Sequence, residues 1–317
     1  MKHIRPYGIF EASPALTPEQ IEWLNKCTSK RSALAKGNWE LNLRTGEVDV
    51  FHGGFDCSEQ DLSDFKGVRF GVVGEDFWCY DNLLTSLVGA PREVGGYFSC
   101  GHNRLTSLVG APEKVGGSFE CDNNRLTSLE GAPQKVGGGF NCNDNLLTSL
   151  EGAPQKVGGG FFCDNNLLTS LEGAPEKVRG SLSCGNNLLT SLVGAPQEVG
   201  GDFDCDKNRL TSLEGAPRGL TGHFWCGHNL LTSLEGAPQK VGSFSCGNNP
   251  VSDEALKSIF SRMEKGESYL KAVESLWSEI PVDDQALLYR PEFKWIGAEE
   301  VKKLQAVGRF NKIKGIL

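Results

Sequence analysis

Apolar and polar positions along this chain repeat as a frame. From Phe77 to Cys246 the wording V-G-G-x-F-x-C-x-x-N-x-L-T-S-L-x-G-A-P returns again and again. Its cysteines stand at 79, 100, 121, 142, 163, 184, 205, 226 and 246, so each interval is 21 residues except the last, which is 20. In F-x-C two apolar side chains flank one polar or variable residue, the period-2 alternation of a strand with one buried face. Phe98 and Cys100 are therefore predicted to point inward and Ser99 outward, and likewise in every copy. One short strand per copy, stacked copy on copy, makes a parallel sheet with strands about 4.8 Å apart, so nine to ten coils give an array ~45 Å long. A degenerate copy precedes the regular ones. Phe55 and Cys57 match F-x-C, Phe65 stands for the second leucine and Gly67 for the repeat glycine, at a 22-residue offset.

An asparagine follows each cysteine by three residues, at 103, 124, 145, 166, 187, 208, 229 and 249. There the strand must turn, and an amide side chain satisfies backbone groups that the turn would orphan. The Gly-Ala-Pro step then carries the chain round the far side, where proline blocks helix. The far side is predicted to be extended or 3₁₀. This pattern resembles the leucine-rich repeat, with phenylalanine (Leu182 in one copy) and cysteine in the two central apolar slots. The short spacing and the proline near the repeat end are most similar to the short repeats of bacterial effector proteins. The wording of the repeat and the tail after it also resemble uncharacterised leucine-rich-repeat proteins of large tailed bacteriophages. The resemblance implies an α/β-type solenoid, a cytosolic binding scaffold and, on the phage side, a factor that sequesters or blocks a host protein such as an antiviral defence factor.

A solenoid's terminal coils need cover, and both flanks read as built for it. The chain divides into an N-terminal cap, 1–54, the solenoid, 55–250, and a C-terminal helical module, 251–317. Thr17-Pro-Glu-Gln20 is a helix start with a capping box, opening a helix to about Cys27. Trp39 to Leu43 and Glu47 to Phe51 alternate around Thr45-Gly46 as a hairpin. Beyond Pro250, helices are predicted over Asp253 to Lys265 with Ser252 as cap, Ser268 to Ile280, Asp283 to Tyr289, and Ala298 to Ile313. The last carries Lys302, Lys303, Arg309, Lys312 and Lys314, read as a solvated basic face, with nucleic acid or an acidic partner as the alternative.

Charge narrows the partner. The net charge is -8: residues 1–50 carry +1, 51–250 carry -9 and 251–317 carry 0. An acidic solenoid is a poor match for a nucleic-acid backbone, whose binding rests on cationic side chains. No apolar run approaches the ~18 residues of a membrane span, and no signal-peptide segment opens the chain, which places it in the cytoplasm (the host cytosol if phage-encoded). The periodic cysteines read as buried thiols in a reducing compartment; neither a C-x-x-C pair nor a Cys/His cluster marks a metal. Asp202-Phe-Asp-Cys-Asp206 spaces its carboxylates ~6.5 Å apart, too far for one ion. No metal and no cofactor are expected. The glycines recur with the repeat rather than forming a phosphate loop, and no nucleophile with its base stands out, so no enzyme is expected.

The outward strand positions, which would line the inner curved face, vary while the frame does not. Across the coils they hold nine acidic residues and one basic. The candidate partner-binding set is Asp76, Trp78, Tyr80, Asp81, Tyr97, Glu120, Asp122, Phe162, Asp164, Asp202, Asp204, Asp206, His223, Trp225 and His228. Rings flanked by polar residues are the usual anchors of interfaces, and acidity steers a basic partner. The expected partner is a protein, a host protein if the chain is phage-encoded, with a basic surface anchored on Trp78, Phe162 and Trp225. An alternative makes the chain a structural or assembly component of a phage particle or of a self-associating complex.

Overall fold

The computed structural model describes residues 15–29 and 37–288. They form a parallel-sheet solenoid in which each coil contributes one strand to a front sheet and, over most of its length, one to a rear sheet. The front sheet has ten strands: Phe55–Asp56, Phe77–Trp78, Phe98–Ser99, Phe119–Glu120, Phe140–Asn141, Phe161–Phe162, Leu182–Ser183, Phe203–Asp204, His223–Trp225 and Ser243–Ser245. Phenylalanine pairs with phenylalanine in register from coil to coil, and Phe55 pairs with Phe77 despite its 22-residue offset. The degenerate first coil is thus a true coil: Phe65 is buried and Gly67 has φ +73°, in the left-handed region like Gly89.

The far side is extended, and it goes further than the sequence reading by pairing into a second sheet. The two-residue strands Glu93–Val94, Lys114–Val115, Lys135–Val136, Lys156–Val157, Lys177–Val178 and Glu198–Val199 stack in parallel behind the four-residue strand Phe70–Val73. Among the described residues no 3₁₀ helix forms, but each regular coil turns through a single i→i+3 bond, as from the Ala90 N–H to the Leu87 carbonyl at 2.9 Å. The valines point inward and complete a single core with the Phe, Cys and Leu columns. Within it the phenylalanine rings lie nearly parallel, with centroids 5.2 to 5.6 Å apart along Phe77, Phe98, Phe119, Phe140 and Phe161. Burying one such side chain contributes ~1.5–3 kcal/mol, but only because neighbouring coils cover it on both sides.

Glycine sets how closely coils approach at the rear. A Cβ built at Gly95, Gly116, Gly137, Gly158 or Gly200 falls 2.0 or 2.1 Å from the carbonyl oxygen of the preceding coil. Two coils depart from glycine in this column, and both loosen the sheet. At Arg179 the bond from its N–H to the Val157 carbonyl stretches to 3.5 Å, against 3.0 Å for Gly200 to Val178. At Thr221, where a β-branched Cβ is bulkier still, the rear sheet ends at Glu198–Val199. The Thr221 hydroxyl instead donates to the Gly200 carbonyl at 2.9 Å, and only an isolated Gly219–Lys240 bridge follows.

The flanking elements pack against the first and last coils. Helix α1, Pro18–Ser29, opens with the expected reciprocal box: Thr17 N–H donates to Gln20 Oε1 and Gln20 N–H to Thr17 Oγ1. It sets Trp23 edge-on against Phe55 and Phe70 at 5.3 and 6.3 Å. The hairpin Trp39–Asn42 and Glu47–Val50 joins the rear sheet through Phe70–Val73. At the other end Ser252 caps helix α2, Asp253–Met263, whose Phe260 stacks on Phe244 at 4.1 Å and so continues the ring column. Helices α3, Tyr269–Leu276, with Ser268 as cap, and α4, Val282–Leu288, follow. Residues 1–14 and the helix expected over Ala298 to Ile313, with its basic face, lie outside the described residues.

Candidate functional site

Register turns the outward front-sheet residues into straight rows across the coils. The middle row runs Asp56, Trp78, Ser99, Glu120, Asn141, Phe162, Ser183, Asp204, Trp225 and Ser245, each a direct neighbour of the next. Trp78, Phe162 and Trp225, the expected anchors, therefore share one row. Phe162 is four coils from Trp78 and three from Trp225, or ~19 and ~14 Å at sheet spacing, so they are separate points on a line and not one cluster. Each ring lies against the sheet: Trp78 over Gly54, Phe162 over Gly160, and Trp225 stacked on His223 at 5.1 Å with 20° between planes. All three are partly exposed, whereas Asp56 and Ser99 in the same row are buried and Tyr97, one row over, is half exposed.

The acidic residues have a second occupation that the sequence alone conceals. Asp76 Oδ1 accepts the Tyr97 N–H at 2.7 Å, and Asp202 Oδ1 accepts the His223 N–H at 2.8 Å. Asp164 Oδ1 accepts the Gly185 N–H and the Ser183 hydroxyl, both at 2.6 Å. Asp206 Oδ1 accepts the Gly227 N–H at 2.6 Å, and Asp204 Oδ1 the Asp206 N–H at 2.8 Å. Most of these carboxylates thus tie coil to coil while standing at the surface. Glu120 accepts from Ser99 Oγ, and Tyr80 donates to Glu59 at 3.5 Å. Asp81 and Asp122 flank His102 at 3.8 and 3.7 Å. His223 Nδ1 meets Ser243 Oγ, and His228 Nε2 meets the Asn248 amide.

One further column escaped the sequence reading. Asp81, His102, Asn123, Asp144, Asn165, Asn186, Lys207, His228 and Asn248 all have φ between +49° and +59°. Asn, Asp and His tolerate this left-handed conformation best, which accounts for the polar residue two places after each cysteine. Asp81 and His228 therefore serve the turn as well as the surface.

Asp164, Asp204 and Asp206 converge around Gly185 in a shallow depression of about 220 Å³ that also includes Lys207. Desolvation raises the pKa of all three above the ordinary carboxylate value, and the Asp204 charge adds to the rise at Asp206. A carboxyl whose pKa is raised by folding stabilises the fold below its unfolded-state pKa, and that contribution is lost as pH rises through the folded value. At neutral pH the ionised group is therefore a net strain. Asp204→Asn keeps an oxygen to accept the Asp206 N–H and removes the charge. It is expected to raise the thermal midpoint at pH 7, with an advantage that shrinks as the pH falls into the carboxylate range; calorimetry at both pH values checks this.

The cysteine column is chemically quiet. None of the eleven cysteines forms a disulfide, and all are buried. Burial pushes the thiol pKa upward from Cys79 through Cys246. Several donate weakly to the next coil's carbonyl, as Cys142 Sγ does to Phe162 at 3.3 Å. Such thiols are not nucleophiles.

No family model matches the chain, and no curated protein sequence matches it. Among solved structures, the fold is similar to YopM from Yersinia enterocolitica WA-314, at 20% identity over 63% of this chain and 47% of that one, with a TM-score of 0.45. It is also similar to YopM of Yersinia pestis, described as a leucine-rich effector protein, at 16% identity over 76% and 74% of the two chains, with a TM-score of 0.38. The chain thus spans about half the length of the first of these proteins. No described helix is long and apolar enough to cross a membrane.

Proposed function

We propose that this solenoid is a non-catalytic protein-binding scaffold whose front sheet holds a partner with a basic surface. One observation carries the reading: Trp78, Phe162 and Trp225 stay partly exposed on a single register row while the phenylalanines of the column beneath, from Phe55 to Phe224, are fully buried. A ring lying flat on a rigid sheet offers large area at little entropic cost, and its face attracts guanidinium and ammonium groups. The carboxylates beside the row supply complementary charge at sites where ionisation strains the fold, and a basic partner relieves that strain. The buried, disulfide-free cysteines support residence in a reducing cytoplasm. The phage-like wording of the repeat supports a narrower version, a phage-encoded inhibitor or sequestering factor acting on a host protein, including a defence factor.

Affinity capture from bacterial cytosol with the full chain, beside Trp78→Ala/Phe162→Ala/Trp225→Ala, tests this. The partner held by the wild type is expected to bind the triple variant at least ~100-fold more weakly, with unchanged circular dichroism. Equal capture by both proteins would overturn the assignment of the row.

A further inference from the structure

The rear sheet carries a charge row that the front-sheet reading leaves unused. Lys114, Lys135, Lys156 and Lys177 are direct register partners on four consecutive strands. All four are exposed. Glu93 and Glu198 bound the row at its two ends. Among the described residues only Lys177 of the four has an ion-pair partner, Glu198. Four ammonium groups on strands ~4.8 Å apart repel one another, and like charges placed directly opposite destabilise a sheet. A chain with net charge -8 thus concentrates cations in one line.

The opposite face of the same coils answers that line. In the coil of Lys114 the front sheet bears Glu120 and Asp122, in that of Lys135 it bears Asp144, and in that of Lys156 it bears Asp164. These acids do not form one register row, since Glu120 lies within its strand, Asp122 and Asp164 one place and Asp144 two places after the cysteine, but each of Lys114, Lys135 and Lys156 has a front-face carboxylate in its own coil, and the coil of Lys177 has none. We propose that the rear lysine row of one copy docks on the acidic front sheet of a second copy, coil against corresponding coil. The contact is heterologous: each copy uses its back on one neighbour and its front on the other, so the association is open-ended. The inference rests on the reading that the front sheet binds a basic surface, and here it supplies one such surface from the chain itself. Charge complementarity within one sequence favours this occupant over nucleic acid, which the net charge repels.

Sedimentation velocity of the full chain over a roughly hundredfold concentration range tests it, since association follows mass action. The wild type is expected to gain weight-average mass with concentration. Lys135→Glu/Lys156→Glu and Glu120→Lys/Asp144→Lys are each expected to weaken association by at least about tenfold. An equimolar mixture of the two is expected to regain it, because each reversed face then meets a complementary one. A wild type that stays monomeric, or a mixture that does not associate, overturns the inference. Loss of association on reversing the lysines but not the acids also overturns it, since the row then meets another anionic surface. If the wild type is monomeric yet Glu120→Lys/Asp144→Lys loses the partner captured from cytosol, this inference falls while the front-sheet reading stands.

Discussion

Gly137→Thr is expected to lower the free energy of unfolding by ~3 kcal/mol, at the upper end of ordinary point mutations, and to interrupt the rear sheet in the middle of the array. A Cβ at this position lies 2.0 Å from the Gly116 carbonyl oxygen, and the obstacle is backbone, so no rotamer change relieves it. The molecule already shows both forms of relief. Arg179 lengthens one inter-coil bond to 3.5 Å, and Thr221 coincides with the end of the sheet. Thr221 lies near the last coils, where little pairing remains to be lost; Gly137 has rear strands stacked on both sides. Because coils are stabilised by their neighbours, separating them there weakens both halves. Gly247→Thr is the control, since a Cβ at that position meets nothing within 4 Å, and it is expected to change stability by less than ~0.5 kcal/mol. Urea unfolding followed by circular dichroism compares the two.

Asn145→Leu is expected to cost about 4 kcal/mol. The Asn145 amide donates to the carbonyls of Cys121, Cys142 and Asn143 at 3.0 to 3.1 Å, and its oxygen accepts the Leu126 N–H at 3.0 Å. Leucine matches the volume but leaves these interior backbone groups without partners, at ~1–3 kcal/mol for each group that water does not reach. Asn145→Asp separates bonding from shape. It retains the acceptor for Leu126 and loses every donor, so at pH 7 it is expected to be at least as destabilising as leucine. Lowering the pH toward the carboxylate range restores one O–H donor and part of the stability. Paired unfolding curves at pH 7 and about pH 4.5, just above the ordinary aspartate range, read the difference.

Much of the fold is legible because its core is periodic. Phe98, Cys100, Leu105 and Leu108 are all fully buried, as their spacing demands, and the asparagines do bridge backbone groups, Asn82 included. Each spans two coils, as Asn145 does between Cys121 and Cys142. The rear sheet is not legible, because a two-residue strand such as Lys135–Val136 buries one side chain, and a single apolar position shows no alternation. The column at φ near +50° hides for a similar reason, since polar residues after a strand read equally as surface. Alternation is enough to bring Trp78, Phe162 and Trp225 to one outward row, yet the double duty of Asp76, Asp164, Asp202 and Asp206 depends on which N–H groups of the next coil come within reach. The lysine row required knowing that Lys114, Lys135, Lys156 and Lys177 face one another across paired strands.

The asparagine bridges also give the array a direction. Asn145 serves the Cys121 carbonyl and the Leu126 N–H, both in the coil before its own, and Asn166 does the same for Cys142 and Leu147. The asparagine bridge of each coil is therefore completed by its successor, whereas carboxylates run the other way, as Asp164 takes the N–H of Gly185 in the next coil. During synthesis the growing end always presents a turn with open backbone groups, a template that accepts one more coil. Growth closes when Asp253 of the first C-terminal helix takes the Cys246 thiol that, in earlier coils, bonds to the following coil's carbonyl. A newly made chain of this kind elongates like a zipper with its open teeth facing the ribosome.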